Sequence, residues 1–137
     1  MRHTAAVVAI SALLLSLVAI ARGDEIPLTA SPIAPGGEGK ISFEHDRNKN
    51  TRFTVHTKHL ARPDSLTPAK AQYVVWVQPR GKDPQNIGTL KLNENLEGSV
   101  SGTTPYQTFD VIVTAEDSGN ADRPSGPEIF RGTVQHH

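Results

Sequence analysis

The feature that most constrains this chain is a series of short runs with period-2 alternation, each cut off within about a dozen residues by turn-forming residues. Ile41, Phe43 and His45 alternate with Ser42, Glu44 and Asp46, and Phe53, Val55 and Thr57 alternate with Arg52, Thr54 and His56. On a strand, neighbouring side chains point to opposite faces, so each run has one apolar and one polar face. Arg47-Asn48-Lys49-Asn50 between them is a polar turn, which predicts a hairpin. Apolar faces meet there only when paired residue numbers sum to an even value, as with Phe43 opposite Val55.

Tyr73-Val74-Val75-Trp76-Val77 is apolar at every position, the pattern of a central strand buried on both sides. The Trp76 ring is expected between two sheets. Further strands are expected near 87–92, 96–101, 107–115 and 128–134, separated by breaks such as Pro79-Arg80-Gly81-Lys82-Asp83-Pro84 and Asn93-Glu94-Asn95. No stretch beyond the first 21 residues keeps helical spacing. The pattern predicts an all-β fold, an immunoglobulin-like β-sandwich of about seven strands over residues 39–135.

Residues 1–21 are of another kind. Arg2 is followed by a charge-free run from Ala5 to Ile20, and Ala19-Ile20-Ala21 puts small residues where a signal peptidase reads. This layout predicts a signal peptide cleaved after Ala21 and a periplasmic or otherwise secreted product. Retention as an anchor is the alternative, yet a spanning helix needs about 20 apolar residues. No membrane span is expected after cleavage. Residues 22–38, with Pro27, Pro32, Pro35, Gly36 and Gly37, are expected to form a flexible tether.

Composition narrows the function. The chain has no cysteine, so disulfides, thiolate metal sites and thiol nucleophiles are excluded. It carries 14 basic and 14 acidic side chains; loss of Arg2 leaves one acid in excess, with both signs scattered. Without a basic stripe, nucleic acid is not an expected partner.

A group of motifs resembles a known family. Tyr73-Val74-Val75-Trp76, Gly88-Thr89-Leu90, Phe109-x-Val111-x-Val113-Thr114-x-Glu116 and Pro124-Ser125-Gly126-Pro127 are similar to the extracytoplasmic C-terminal domain of anti-sigma-K-factor-like proteins. The resemblance spans about residues 72–130 and implies a β-sandwich on the outer side of a bacterial membrane. Members of that family carry a cytoplasmic sigma-binding segment ahead of a membrane span. Here only four residues precede the apolar run, so anti-sigma activity is not carried over.

Candidate chemistry is sparse. Five histidines follow the leader: His45, His56, His59, His136 and His137. A copper or zinc site needs several imidazoles or carboxylates on one ion. His45 and His56 fall on opposite faces of the hairpin, which leaves His56 and His59 as the candidate metal pair. No Gly-x-Ser-x-Gly elbow occurs, and the neighbours Glu116 and Asp117 would point to opposite faces of a strand. Gly36-Gly37-Glu38-Gly39-Lys40 lacks the hydroxyl and the following helix of a phosphate loop. Glu116 is expected to close a strand and hydrogen-bond the loop at Pro124. No enzyme activity and no cofactor are therefore expected. The loops 60–71 and 119–127 are the expected place of partner contact, through Arg62, Asp64, Asp122 and Arg123. The reading is a non-enzymatic interaction or structural module of the cell envelope, its partner an envelope protein; periplasmic copper or zinc binding is the alternative.

Overall fold

A computed structural model describes residues 24–135; the predicted leader, residues 1–21, and the His136-His137 pair lie outside them. Eight antiparallel strands are present: β1 (Asp24–Ala30), β2 (Glu38–His45), β3 (Thr51–Lys58), β4 (Gln72–Pro79), β5 (Gln85–Leu90), β6 (Gly98–Thr104), β7 (Thr108–Glu116) and β8 (Glu128–Gln135). Their order is β5-β4-β7-β8-β1-β2-β3-β6, one sheet curled until it nearly closes. Among the described residues there is no α-helix, and no helix is long and apolar enough to cross a membrane. Among the described residues a single 3-10 turn is present, at Pro63–Ser65.

β1 corrects the expectation of a tether. Asp24–Leu28 pair with β2, and Thr29–Ala30 pair with β8, so this strand joins the two halves of the sheet. Its Leu28 is buried in the core. Pro27 hid it in the sequence, because proline reads as a break. Over Asp24–Leu28 the strand is paired on one side only, the edge-like setting in which a proline is tolerated. The count is eight strands, one more than the pattern indicated.

The β2–β3 hairpin obeys the predicted parity with the register moved by two residues: Ile41 faces Val55 and Phe43 faces Phe53. Asp46 sets that register. Its Oδ1 accepts the backbone N–H groups of Asn48 (2.8 Å) and Asn50 (3.0 Å), closing a five-residue turn with Lys49 at φ 66°.

Inside the curl lie Ile41, Phe43, Phe53, Val55, Tyr73, Val75, Val77, Phe109, Val111, Val113 and Phe130. The Phe53 and Phe109 rings meet with centroids 5.7 Å apart. Two irregularities bring more apolar area into the core. Between Val75↔Gly88 and Trp76↔Asn86, Ile87 is an extra residue on β5. Ile87 and Leu90, three positions apart, would otherwise face opposite sides; the bulge turns both inward. Between Val113↔Phe130 and Thr114↔Glu128, Ile129 is extra on β8, and both Ile129 and Phe130 are buried.

Trp76 lies elsewhere than expected. Alternation along β4 sends Tyr73, Val75 and Val77 into the core, and Val74 and Trp76 to the outer face. There Trp76 joins Val74 and Ile112 in a second apolar cluster, against which Ala121 of the 117–127 loop packs. The indole is fully buried all the same.

Candidate functional site

The ladders place four connections at one end of the molecule. The pairs Leu28↔Gly39, Thr57↔Gly98, Tyr73↔Leu90 and Gln72↔Glu116 mark that end, from which the 31–37, 59–71, 91–97 and 117–127 loops project. The opposite end has only the short turns 46–50, 80–84 and 105–107.

The 117–127 loop is fastened by a buried polar chain. Trp76 Nε1 donates to Thr114 Oγ1 (2.8 Å), and the Thr114 hydroxyl donates to Glu116 Oε2 (2.6 Å). The Glu116 carboxylate also accepts the Ser125 hydroxyl (2.7 Å) and the backbone N–H groups of Ser125 and Gly126. Residues 112, 114 and 116 share one face of β7, so two-residue spacing brings the acid beneath the loop. Burial by itself would raise the Glu116 carboxyl; the donors from Thr114, Ser125 and Gly126 outweigh it and hold the group below the usual carboxylate range. At Gly126 a Cβ would come 1.7 Å from the Ala115 carbonyl oxygen, so only glycine fits. From β5, the Asn86 side chain donates to the Gly119 and Ala121 carbonyls, 3.0 Å each. Trp76, Thr114, Glu116, Ser125 and Gly126, drawn from three of the sequence motifs, are thus parts of one structural fastening.

The 59–71 loop is held differently. Leu60 and Leu66 are buried, and the Tyr73 hydroxyl donates to the Ala61 carbonyl (2.5 Å). Burial pushes the Tyr73 phenol up to about 12, so it stays neutral. Arg62 Nη2 donates to the Asn93 carbonyl (3.1 Å), and Leu60 N–H to the Leu96 carbonyl (3.2 Å), which ties this loop to 91–97. Lys70 Nζ lies 3.7 Å from Asp117 Oδ2, a loose link to the fourth loop.

An open groove of about 410 Å³ runs between the 59–71 loop and the ends of β4 and β5. Tyr73, Leu90 and Leu92 contribute apolar lining; Arg62, Lys70 and Lys91 contribute three cations against one carboxylate, Asp64. Of the four residues expected at a partner surface, Arg62 and Asp64 line this groove. Asp122 and Arg123 are exposed on the 117–127 loop and do not. Lys70 and Lys91 were not foreseen, since a lone lysine beside a strand carries no pattern.

The two candidate metal histidines sit in different settings. His56 sits on the outer face of β3, in register with Lys40 and Ser99. His59 lies just past that strand at φ 54°, its Nδ1 2.7 Å from Glu38 Oε2 in an exposed pair. Among the described residues no three His, Asp or Glu side chains converge as metal ligands.

No protein-family model matches this chain. A search of curated proteins likewise finds no match.

Proposed function

We propose that this protein is an exported, non-enzymatic binding module of the bacterial envelope, an immunoglobulin-like sandwich that meets its partner at the loop-rich end. The groove beside Arg62, Lys70 and Lys91 carries this reading. Cations beside an apolar floor suit an acidic segment that also bears an apolar side chain, most simply a loop or tail of another envelope protein. Support for the sandwich comes from the strand order. β5-β4-β7-β8 and β1-β2-β3-β6 fall into two halves, and the chain crosses between them from β3 to β4, from β5 to β6 and from β6 to β7. Export is supported by the leader pattern, which ends at Ala21 just ahead of β1 at Asp24. The likeness to the outer domain of anti-sigma-K-factor-like proteins points to the same side of the membrane; its motif residues fasten a loop here, so no regulatory activity is inferred from them.

Two measurements test this. Amino-terminal sequencing of the protein recovered from the producing cells is expected to start at Arg22; a Met1 start with membrane retention would overturn export by cleavage. For binding, a fluorescent peptide of glutamates and leucines is expected to bind at low salt, to weaken as salt rises, and to be lost in the Arg62→Glu/Lys91→Glu double variant. Equal binding by the variant, or none by the native protein, removes the groove as the contact site.

A further inference from the structure

The two ends of the molecule differ in charge as well as in the length of their loops. The short-turn end carries Arg47 and Lys49 on the 46–50 turn, and Arg80 and Lys82 on the 80–84 turn. All four are exposed, and none of them is in an ion pair among the described residues. Two carboxylates share these turns. Asp46 accepts the Asn48 and Asn50 N–H groups of its own turn, which leaves Asp83; on the strand ends beside them, Glu44 is paired with Arg52 at 2.6 Å. The four loops at the other end instead hold four Lys and Arg against five Asp and Glu. The free cations of the short-turn end are spread out. The 46–50 turn joins β2 to β3 and the 80–84 turn joins β4 to β5, strands in different halves of the sheet. The 105–107 crossing touches both turns' neighbourhoods: Thr51 Oγ1 donates to the Tyr106 carbonyl (2.9 Å), and Lys82 Nζ stands 5.9 Å from the Tyr106 ring centroid. A single anion calls for cations converging on one point, whereas cations spread around a half-buried tyrosine suit an extended anionic surface with an apolar layer behind it.

Chain connectivity points to the same end. Asp24 pairs with Phe43, close to where β2 runs into the 46–50 turn, so the chain enters the fold at the short-turn end. Only Ala21, Arg22 and Gly23 stand between Asp24 and the apolar run Ala5–Ile20. While a leader of that kind sits in the bilayer during export, the end nearest the bilayer is this one. Cleavage after Ala21, as proposed above, leaves a free α-amino group and Arg22 directly ahead of Asp24, two positive charges against that carboxylate. We propose that the short-turn end is a membrane-facing tip that docks on anionic phospholipid headgroups, with Arg47, Lys49, Arg80 and Lys82 facing lipid phosphate and Tyr106 among them. The loop-rich end then points away from the bilayer, open to a partner. Docking through exposed cations is reversible and weakens as salt screens the surface.

Vesicle co-sedimentation tests this with the purified protein beginning at Arg22, which keeps the whole described fold. Binding is expected to vesicles of phosphatidylcholine with about a third phosphatidylglycerol, not to pure phosphatidylcholine, and is expected to fade as salt rises from about 50 to about 500 mM. Arg47→Glu/Arg80→Glu, which reverses one exposed cation on each turn, should bind at least tenfold more weakly with unchanged circular dichroism. Arg62→Glu/Lys91→Glu, in the groove at the opposite end, should bind vesicles as the native protein does, so failure of the groove and failure of the tip are read separately. No binding to the anionic vesicles at low salt, equal binding to neutral ones, or unchanged binding by Arg47→Glu/Arg80→Glu overturns the inference. Tighter binding to a DNA duplex than to the vesicles overturns the lipid assignment. If the charge-reversed variant fails to fold, Arg47→Gln/Arg80→Gln decides in its place, with a smaller loss expected.

Discussion

The two faces of β4 and β7 are both buried, and they are held by different physics. The inner face packs Val75, Val77, Phe109, Val111 and Val113 into an apolar core drawn from seven of the eight strands and the turns beside them. The outer face has three core residues, Val74, Trp76 and Ile112, under a loop fastened by the Glu116 carboxylate and the Asn86 amide. The inner face is excluded from water by the fold itself. The outer face stays dry only while the 117–127 loop is down. One is held by area, the other by a handful of hydrogen bonds, so the outer face should be able to fail alone, while loss of the inner face takes both. The chain has one tryptophan, Trp76, so its fluorescence reports the outer face alone.

The largest effect is expected on the inner face. Phe109→Ala removes a ring packed against Phe53 and should cost about 3–5 kcal/mol, read in denaturant unfolding by far-UV circular dichroism. Its tryptophan and dichroism transitions should coincide; separate transitions would show the faces to be less connected than one domain requires. Gly126→Ala comes next. With no room at the Ala115 carbonyl, the loop must shift, at about 3 kcal/mol, and the Trp76 emission should move to the red while the strand signal persists. Unaltered emission would break the comparison.

Glu116→Ala leaves the Thr114 and Ser125 hydroxyls and two backbone N–H groups without their acceptor, at about 2–3 kcal/mol; Glu116→Gln should cost less. The same carboxylate sets an acid limit. Its folded pKa is depressed, so its stabilisation is complete above the ordinary glutamate value of about 4.3 and is lost as pH falls through the lower folded value. Thermal melts of the native protein should therefore weaken below about pH 4, and Glu116→Gln should show a shallower decline; equal slopes would remove Glu116 as the cause. The smallest effect is Tyr73→Phe, about 1 kcal/mol for the bond to the Ala61 carbonyl, with Trp76 emission unmoved because this hydroxyl serves the other loop.

Much of this was legible beforehand. Alternation located β2, β3 and β7, and a hairpin with even-sum pairing followed from the side-chain period alone. The fully apolar run at 73–77 was correctly a central strand, and Glu116 was correctly the tie to the loop near Pro124. Which side of that strand faces the core was not legible, because a run apolar on both faces carries no sign. The Phe43 partner was missed by two residues, since the turn that Asp46 closes sets the register. β1 was missed at Pro27, and its partners β2 and β8 lie far apart in sequence. The candidate groove was half visible: Arg62 and Asp64 stand in a turn-rich loop, while Lys70 and Lys91 matter only through their neighbours in space.

The sequence by itself determined that this chain is built of β-strands, where most of them run and which of their faces are apolar, because those follow from nearest-neighbour periodicity. It also excluded thiol chemistry. Only the tertiary structure decided that the sheet curls with β1 as its joining strand, that Trp76 lies outside the main core under a fastened loop, and that three cations from two loops share one groove. Those outcomes depend on which distant segments pair, and pairing at long range is decided by the packing of the whole chain, which no local pattern records.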